Sequence, residues 1–338
     1  MGLGEENMAK PKIAIIGLGV VGTSLGLALR KADAGYELIG HDKDPGISRS
    51  AGKAGAVHKT EWNLIAAVED ADAIILALPL PAIHDTFKPI APYLKTGVVI
   101  TDTANVKAPV MAWAQELLPE HVNFVGGNPI LPMGKTGLEP DADLFSGGVY
   151  CLTPSPTAAP VALDFMTDLV RLIGAQPFFL DAAEHDGLIA GGEHLPLVIA
   201  AALLRATQSA TSWREMRKVA GAAYEAGAYL GPGDSAAYRH ACQANSANIV
   251  RWIDEFMRAL GELRRQIEQG DEDGLDESFR QALEMRRTWM KERAAKEWDR
   301  AEQRLSEPPR TSFLRQAILG GGLPPSRKDE GKKGPSTR

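Results

Sequence analysis

The sequence predicts an open α/β sheet followed by an all-helical domain, on three observations. Between Lys12 and about Leu180, short apolar runs alternate with helical patterns, as parallel βαβ units do. Near Asp181 the strand-like runs stop, and from Glu184 to Arg304 only helical periodicity remains. A glycine-rich turn, GLGVVG, joins the first apolar run directly to a helical run.

Taken in order, the runs expected to form strands are KIAIIG, YELIGHD, DAIILAL, GVVITD, VNFVGG, GGVYCLT and QPFFL. The first long run of the helical part, DGLIAGGEHLPLVIAAALLRAT, is apolar nearly all round and is expected to be a buried helix. Further on, Ile249, Ile253, Phe256, Leu260, Leu263 and Ile267 recur at three- and four-residue steps, an apolar stripe that packs inside the domain or against a second subunit. From Asp271 to Arg304 both charge signs mix densely, as on a solvated helix, with a partner-binding face as the alternative. The expected organisation is a disordered N-terminus at 1–11, a nucleotide-binding domain at 12–183, a helical domain at 184–305 and a mostly disordered tail at 306–338 in which TSFLRQAIL could dock as a short helix.

Composition narrows the function classes. The chain has 338 residues, 44% of them hydrophobic, which suits two globular domains. With 37 Lys+Arg against 43 Asp+Glu, it offers no basic field for a nucleic-acid backbone or an anionic membrane, so the expected partner is a small molecule. Cys151 and Cys242 are too few and too far apart for a disulfide framework or a Cys-based metal site, and no metal is expected. The acidic MGLGEENMAKPK start does not read as a signal peptide, and no uncharged run reaches the ~18 residues of a membrane span, so the expected location is the cytoplasm.

The sharpest chemical signal is Gly17-Leu18-Gly19-Val20-Val21-Gly22, with strand before and helix after. The first glycine permits the tight turn, the second lets backbone approach a pyrophosphate, and the third lets helix and strand pack closely. The phosphates then meet the positive end of the helix. Asp42 ends the second strand run twenty positions beyond Gly22, where a carboxylate accepts from ribose hydroxyls and repels a 2′-phosphate. This is a Rossmann-type dinucleotide fingerprint, and NAD is the expected cofactor, with Lys43 leaving some tolerance of NADP. Leu78 and Pro79, in LPLPA after the third strand run, are expected to line the same cofactor.

Two more segments fall at the carboxyl ends of later strands: TDTANVK and GGNPILPMGKTGLE. Together with DAAEHDGLIAGGEHLPLVIAAALL, in this order behind the glycine turn, they resemble prephenate and arogenate dehydrogenases, over roughly Lys12 to Leu204 and more weakly beyond. The resemblance implies a Rossmann-type domain plus an all-helical dimerisation domain in a homodimer, with the active site between the domains. It also implies oxidative decarboxylation of a cyclohexadienyl acid in tyrosine biosynthesis.

Carried over residue by residue, the pattern departs at several points. Where the family usually has a histidine that binds the substrate hydroxyl and takes its proton, this chain has Asn128, which can hold a hydroxyl but cannot act as a base near neutral pH. In HLPL, His194 matches the family and Leu197 replaces its second histidine. Asn128 and His194 are the expected catalytic pair, His194 or water taking the proton, with a hydrogen-bonded core histidine as the alternative for His194. Lys107, Lys135 and Thr136 are expected to contact substrate. Asn105 either does so or caps a helix beginning at Val106. Arg239, in AYRHACQANS, is the nearest match to the family's carboxylate-binding arginine, although Cys242 occupies the key position in an ungapped comparison. His185 is expected to serve the start of its helix. Two further readings stand beside the family chemistry: a dehydrogenase of the same fold with a less anionic substrate, and a non-catalytic NAD-binding dimeric paralogue.

Overall fold

A computed structural model describes residues 10–295 except 133, 136 and 232. The expected N-terminal segment is outside the described residues up to position 9, but Pro11 is already part of the fold, its carbonyl accepting from Glu37 N at 2.9 Å. The expected tail at 306–338, TSFLRQAIL included, lies outside the described residues.

The chain runs β1 (Lys12–Ile16), α1 (Val20–Ala32), β2 (Glu37–His41), α2 (Pro45–Lys53), β3 (Lys59–Thr60), α3 (Leu64–Val68), β4 (Ala73–Leu76), α4 (Leu80–Ile90), β5 (Val99–Asp102), α5 (Ala108–Leu117), β6 (Asn123–Ile130), β7 (Val149–Pro154), α6 (Pro160–Leu172) and β8 (Gln176–Phe179). The helical part follows as α7 (Ala182–Ile189), a π-helical turn (Ala190–His194), α8 (Leu195–Gln208), α9 (Trp213–Val219), α10 (Ala222–Gly227), α11 (Ser235–Ala244), α12 (Ser246–Gln269) and α13 (Glu272–Ala295). All seven expected strands form, and a two-residue strand, β3, joins them at the edge.

The eight strands make one sheet in the order β3-β2-β1-β4-β5-β6-β7-β8. Helices α1 and α6 pack on one face, and α3, α4 and α5 cover the other through a core that includes Val68, Ile83, Phe87, Val110 and Phe124. One pairing departs from the all-parallel expectation: β6 and β7 are antiparallel, with Asn128 opposite Cys151. The reason is local. Among the described residues no helix forms between β6 and β7, and a parallel return needs a crossover that usually contains one. The connecting loop instead ties back to α1, where the Ser24 hydroxyl accepts from Asp141 N at 3.0 Å.

The long apolar run also differs from expectation. Ala182–Gln208 is the one described helix long and apolar enough to cross a membrane, yet only 22% of its most apolar stretch is buried within the chain. Apolarity nearly all round reports that a surface leaves water, and it does not say whether the covering element belongs to the same chain. Midway along, the ladder widens into the π turn just before Pro196, because the proline has no N–H to donate and its ring crowds the carbonyl one turn back. On the charged stretch, α13 is exposed along most of its length, as expected of a solvated helix.

Candidate active site

The glycine turn lies at the carboxyl end of β1. Gly17 has φ +92°, and a Cβ there would lie 2.2 Å from the Ala77 carbonyl oxygen. A Cβ on Gly22 would lie 1.9 Å from Gly17 O, so neither position accepts a side chain without moving the backbone. Gly19 is different: nothing lies within 4 Å of where its Cβ would be, and it opens α1 with no side-chain cap. The first-turn N–H groups therefore face an open place that a pyrophosphate can fill. Asp42 is held by two backbone donors, Leu18 N on Oδ2 at 2.8 Å and Asp44 N on Oδ1 at 2.9 Å. Each oxygen keeps a further lone pair for a ribose hydroxyl. Lys43 is exposed beside it, and Leu78 and Pro79 lead into α4. These residues fit a dinucleotide.

A second constellation sits where β5 and β6 meet the helical part. Asp102, fully buried at the end of β5, accepts from Ala104 N at 2.9 Å and Gly127 N at 3.1 Å and pairs with the Lys107 ammonium. Lys107 is itself fully buried. Burial pushes its pKa down while Asp102 pulls it up. Lys107, expected to contact substrate, thus has its ammonium engaged by the Asp102 carboxylate. Asn105 is exposed, and the helix begins at Ala108 rather than Val106, so it is not the cap. Asp186 from α7 does that work, accepting from Lys107 N at 2.6 Å and Ala108 N at 2.9 Å.

Asp186 also accepts from His185 Nδ1 at 2.8 Å, and His185 Nε2 meets Asn128 Nδ2 at 3.1 Å. All three residues are buried, His185 with 0% exposure. Burial raises the Asp186 pKa, but the His185 hydrogen bond and the two backbone donors outweigh it, and the carboxyl lies below its ordinary range. Asn245, between α11 and α12, donates from Nδ2 to the Asp186 carbonyl at 2.7 Å and, at 3.4 Å, to His194 Nδ1. The structure thus joins Asn128, His185, Asp186, Asn245 and His194 into one chain of polar contacts across the domain boundary.

His194 stands at the far end of this chain of contacts. Its Nδ1 accepts from Asn245, so a neutral ring carries its proton on Nε2. Burial holds the ring's pKa below the ordinary value. Nε2 is buried with no hydrogen-bond partner, and the residue is 1% exposed. In that tautomer Nε2 carries an N–H that meets no acceptor among the described residues. The π turn that carries it is a feature frequent at functional sites.

Lys135 pairs with Asp141 in the β6–β7 loop, and Thr136 is outside the described residues. Arg239 is exposed on α11 with its guanidinium 3.1 Å from His240 Nε2. Burial raises the Cys151 thiol to about 11, which disfavours a thiolate. The sequence reading gave His185 a place at its helix start and gave Asp186 no role, whereas the structure joins both to Asn128. The adjacent pair at a helix start, in a segment already carrying the resemblance, was the available signal.

Two family profiles match the chain in tandem: "Prephenate dehydrogenase, nucleotide-binding domain" over residues 25–178 and "Prephenate dehydrogenase, dimerization domain" over 181–281. The chain belongs to the prephenate dehydrogenase family. Among relatives, the prephenate dehydrogenase of Bacillus subtilis is 27% identical over 286 residues, 83% of this chain and 76% of its own length. The probable prephenate dehydrogenase NovF of Streptomyces niveus is 31% identical over 258 residues, 74% of this chain and 67% of its own length. A solved structure, prephenate dehydrogenase from A. aeolicus in complex with hydroxyphenyl propionate and NAD+, superposes with TM-score 0.75 at 23% identity, covering 84% of this chain and 100% of that one. The first profile begins after the glycine turn, so that turn's part in the prephenate dehydrogenase fold here is argued from its own geometry.

Proposed function

We propose that the chain is an NAD-dependent dehydrogenase that oxidatively decarboxylates a cyclohexadienyl acid of the prephenate or arogenate type, acting as a cytoplasmic homodimer joined through its helical domain. The observation that carries this reading is a dinucleotide-fitting glycine turn on the same sheet as a buried polar chain that ends in an unpartnered imidazole N–H. Gly17, Leu18, Gly19, Val20, Val21 and Gly22 cradle the phosphates, and Asp42 holds the adenosine ribose. The bound nicotinamide supplies a hydride acceptor.

The chain's own groups act on the substrate. Asn128 holds the ring hydroxyl. His194 Nε2 donates to a substrate oxygen. Asp102 and Lys107 keep the β5 and β6 ends fixed beneath them, and Asp186 ties α5 to α7. The dimerisation match and the largely uncovered α8 support the homodimer. The exposed position of Arg239 favours a second reading, a substrate with fewer carboxylates, because no guanidinium reaches the polar chain among the described residues.

Following NADH absorbance with prephenate, then arogenate, tests the proposal. Steady turnover with either acid is expected, with NAD preferred over NADP because Asp42 repels a 2′-phosphate. NAD binding without turnover on either acid would select another substrate or a non-catalytic role.

A further inference from the structure

The Asn128 amide is oriented by its neighbours, and the orientation follows from three links. A carboxylate can only accept, so the 2.8 Å contact between His185 Nδ1 and Asp186 Oδ1 places the imidazole proton on Nδ1. A neutral imidazole with its proton there has an acceptor at Nε2. The group 3.1 Å from Nε2 is Asn128 Nδ2, which can only donate. The amide nitrogen is therefore turned toward α7, and Oδ1 is the end left to accept. Asp186 already accepts backbone N–H bonds on both oxygens, from Lys107 and Ala108, which lowers its capacity to hold a full imidazolium.

We propose that His185, steadied by Asp186, is a positioning residue that clamps the Asn128 amide so that Oδ1 accepts the substrate's ring hydroxyl, and that the reaction here proceeds with an oriented amide in place of a base. The inference rests on the oxidative decarboxylation proposed above. Its balance requires no net proton acceptor. The hydroxyl-bearing ring carbon would give its hydrogen with the electron pair to the oxidised nicotinamide of NAD, the bond to the ring carboxylate breaks, its electron pair enters the ring, and carbon dioxide leaves. The hydroxyl proton stays on oxygen, and the product is a phenol. During the step positive charge gathers on the hydroxyl, and a fixed carbonyl-type acceptor stabilises it without taking the proton. An amide turned the other way would present N–H to that hydroxyl and oppose the charge.

The test pairs two substitutions with a spectroscopic readout. His185→Leu keeps an apolar side chain in the buried space but removes the acceptor. His185→Gln restores an acceptor oxygen that can receive the Asn128 N–H, yet it cannot take a proton near neutral pH. Leu is expected to lower kcat about 10- to 100-fold, as a misplaced reacting contact does, with the dissociation constant for NAD unchanged within about twofold. Gln is expected to recover most of that loss, which a proton-accepting His185 would not allow. Leu at wild-type kcat, or Gln as slow as Leu, would overturn the proposal.

Nitrogen-15 NMR of histidine-labelled protein gives a reading independent of activity, and its tautomer readout on the wild type is independent of how the variants fold. The Nδ1–H tautomer of His185 is expected, with its Nε2 signal moving when Asn128 becomes Ala. The Nε2–H tautomer or an imidazolium would turn the amide round and overturn the clamp. Absence of NADH from both cyclohexadienyl acids would sink the proposed function instead, and the tautomer would still decide the clamp.

Discussion

The two halves of this chain treat apolar surface in opposite ways. In the sheet half, Ile13, Ile15, Ile74, Leu76 and Ile100 vanish from solvent beneath helices of the same chain. In the helical half, Leu260 is 52% and Ile267 65% exposed, with Val250 and Met257 also open, although they lie on or beside one regular stripe. Only Ile249 of the stripe is fully enclosed. A sheet covered on both faces completes its core locally, whereas long paired helices present one side to each other and one outward. The difference teaches where the homodimer proposed above would bury surface: the described residues close the sheet half, and they leave the stripe of the helical half open.

The largest expected break is in the closed half. Lys107→Ala strands the buried Asp102 carboxylate, and urea unfolding should show a loss of about 3–5 kcal/mol. Replacing both partners by apolar residues of similar size should recover much of it. Smaller, and at the seam between the halves, is the pH response of Asp186. Its carboxyl lies below the ordinary range when folded, so its stabilisation is complete above the unfolded carboxyl value near ~4 and is lost as pH falls through the folded value. Thermal melts of wild type and Asp186→Asn should therefore differ at pH 7 and converge on acidification. A gap that widened toward low pH would reverse the sign assigned here.

The open half should respond in assembly more than in stability. Leu260→Glu is expected to change the unfolding free energy of the single chain by no more than about 0.5 kcal/mol, while sedimentation shifts from dimer toward monomer. A large loss of stability without a shift in mass would show that the stripe is covered by its own chain. The smallest effect belongs to Arg280, exposed on α13 and paired with Glu277 one turn away. Arg280→Ala should cost at most ~0.5 kcal/mol, and less at high salt.

Much of this comparison was legible before the fold was known. Strands announce themselves by apolar runs, and the glycine turn by its spacing, because both depend on residues adjacent in sequence. The antiparallel return of β7 was less visible, since a loop and a crossover differ only in whether a helix forms. The burial of the long apolar helix was misread because apolarity does not say whose surface covers it. Within the site, Asn128 and His194 were marked by resemblance, but their roles depend on partners far along the chain: His185, 57 positions from Asn128, and Asn245, 51 positions from His194.

The sequence by itself determined that an α/β sheet precedes a helical domain, that a dinucleotide can sit on the first turn, and which family the chain resembles, because these follow from periodicity and short-range motifs. The tertiary structure decided that Asn128 meets His185, that His194 Nε2 is left without a partner, that Lys107 pairs with Asp102 and that Asp186 caps a distant helix. Those are questions of which polar groups meet after burial. Burial makes each unpaired donor or acceptor costly enough to select its partner.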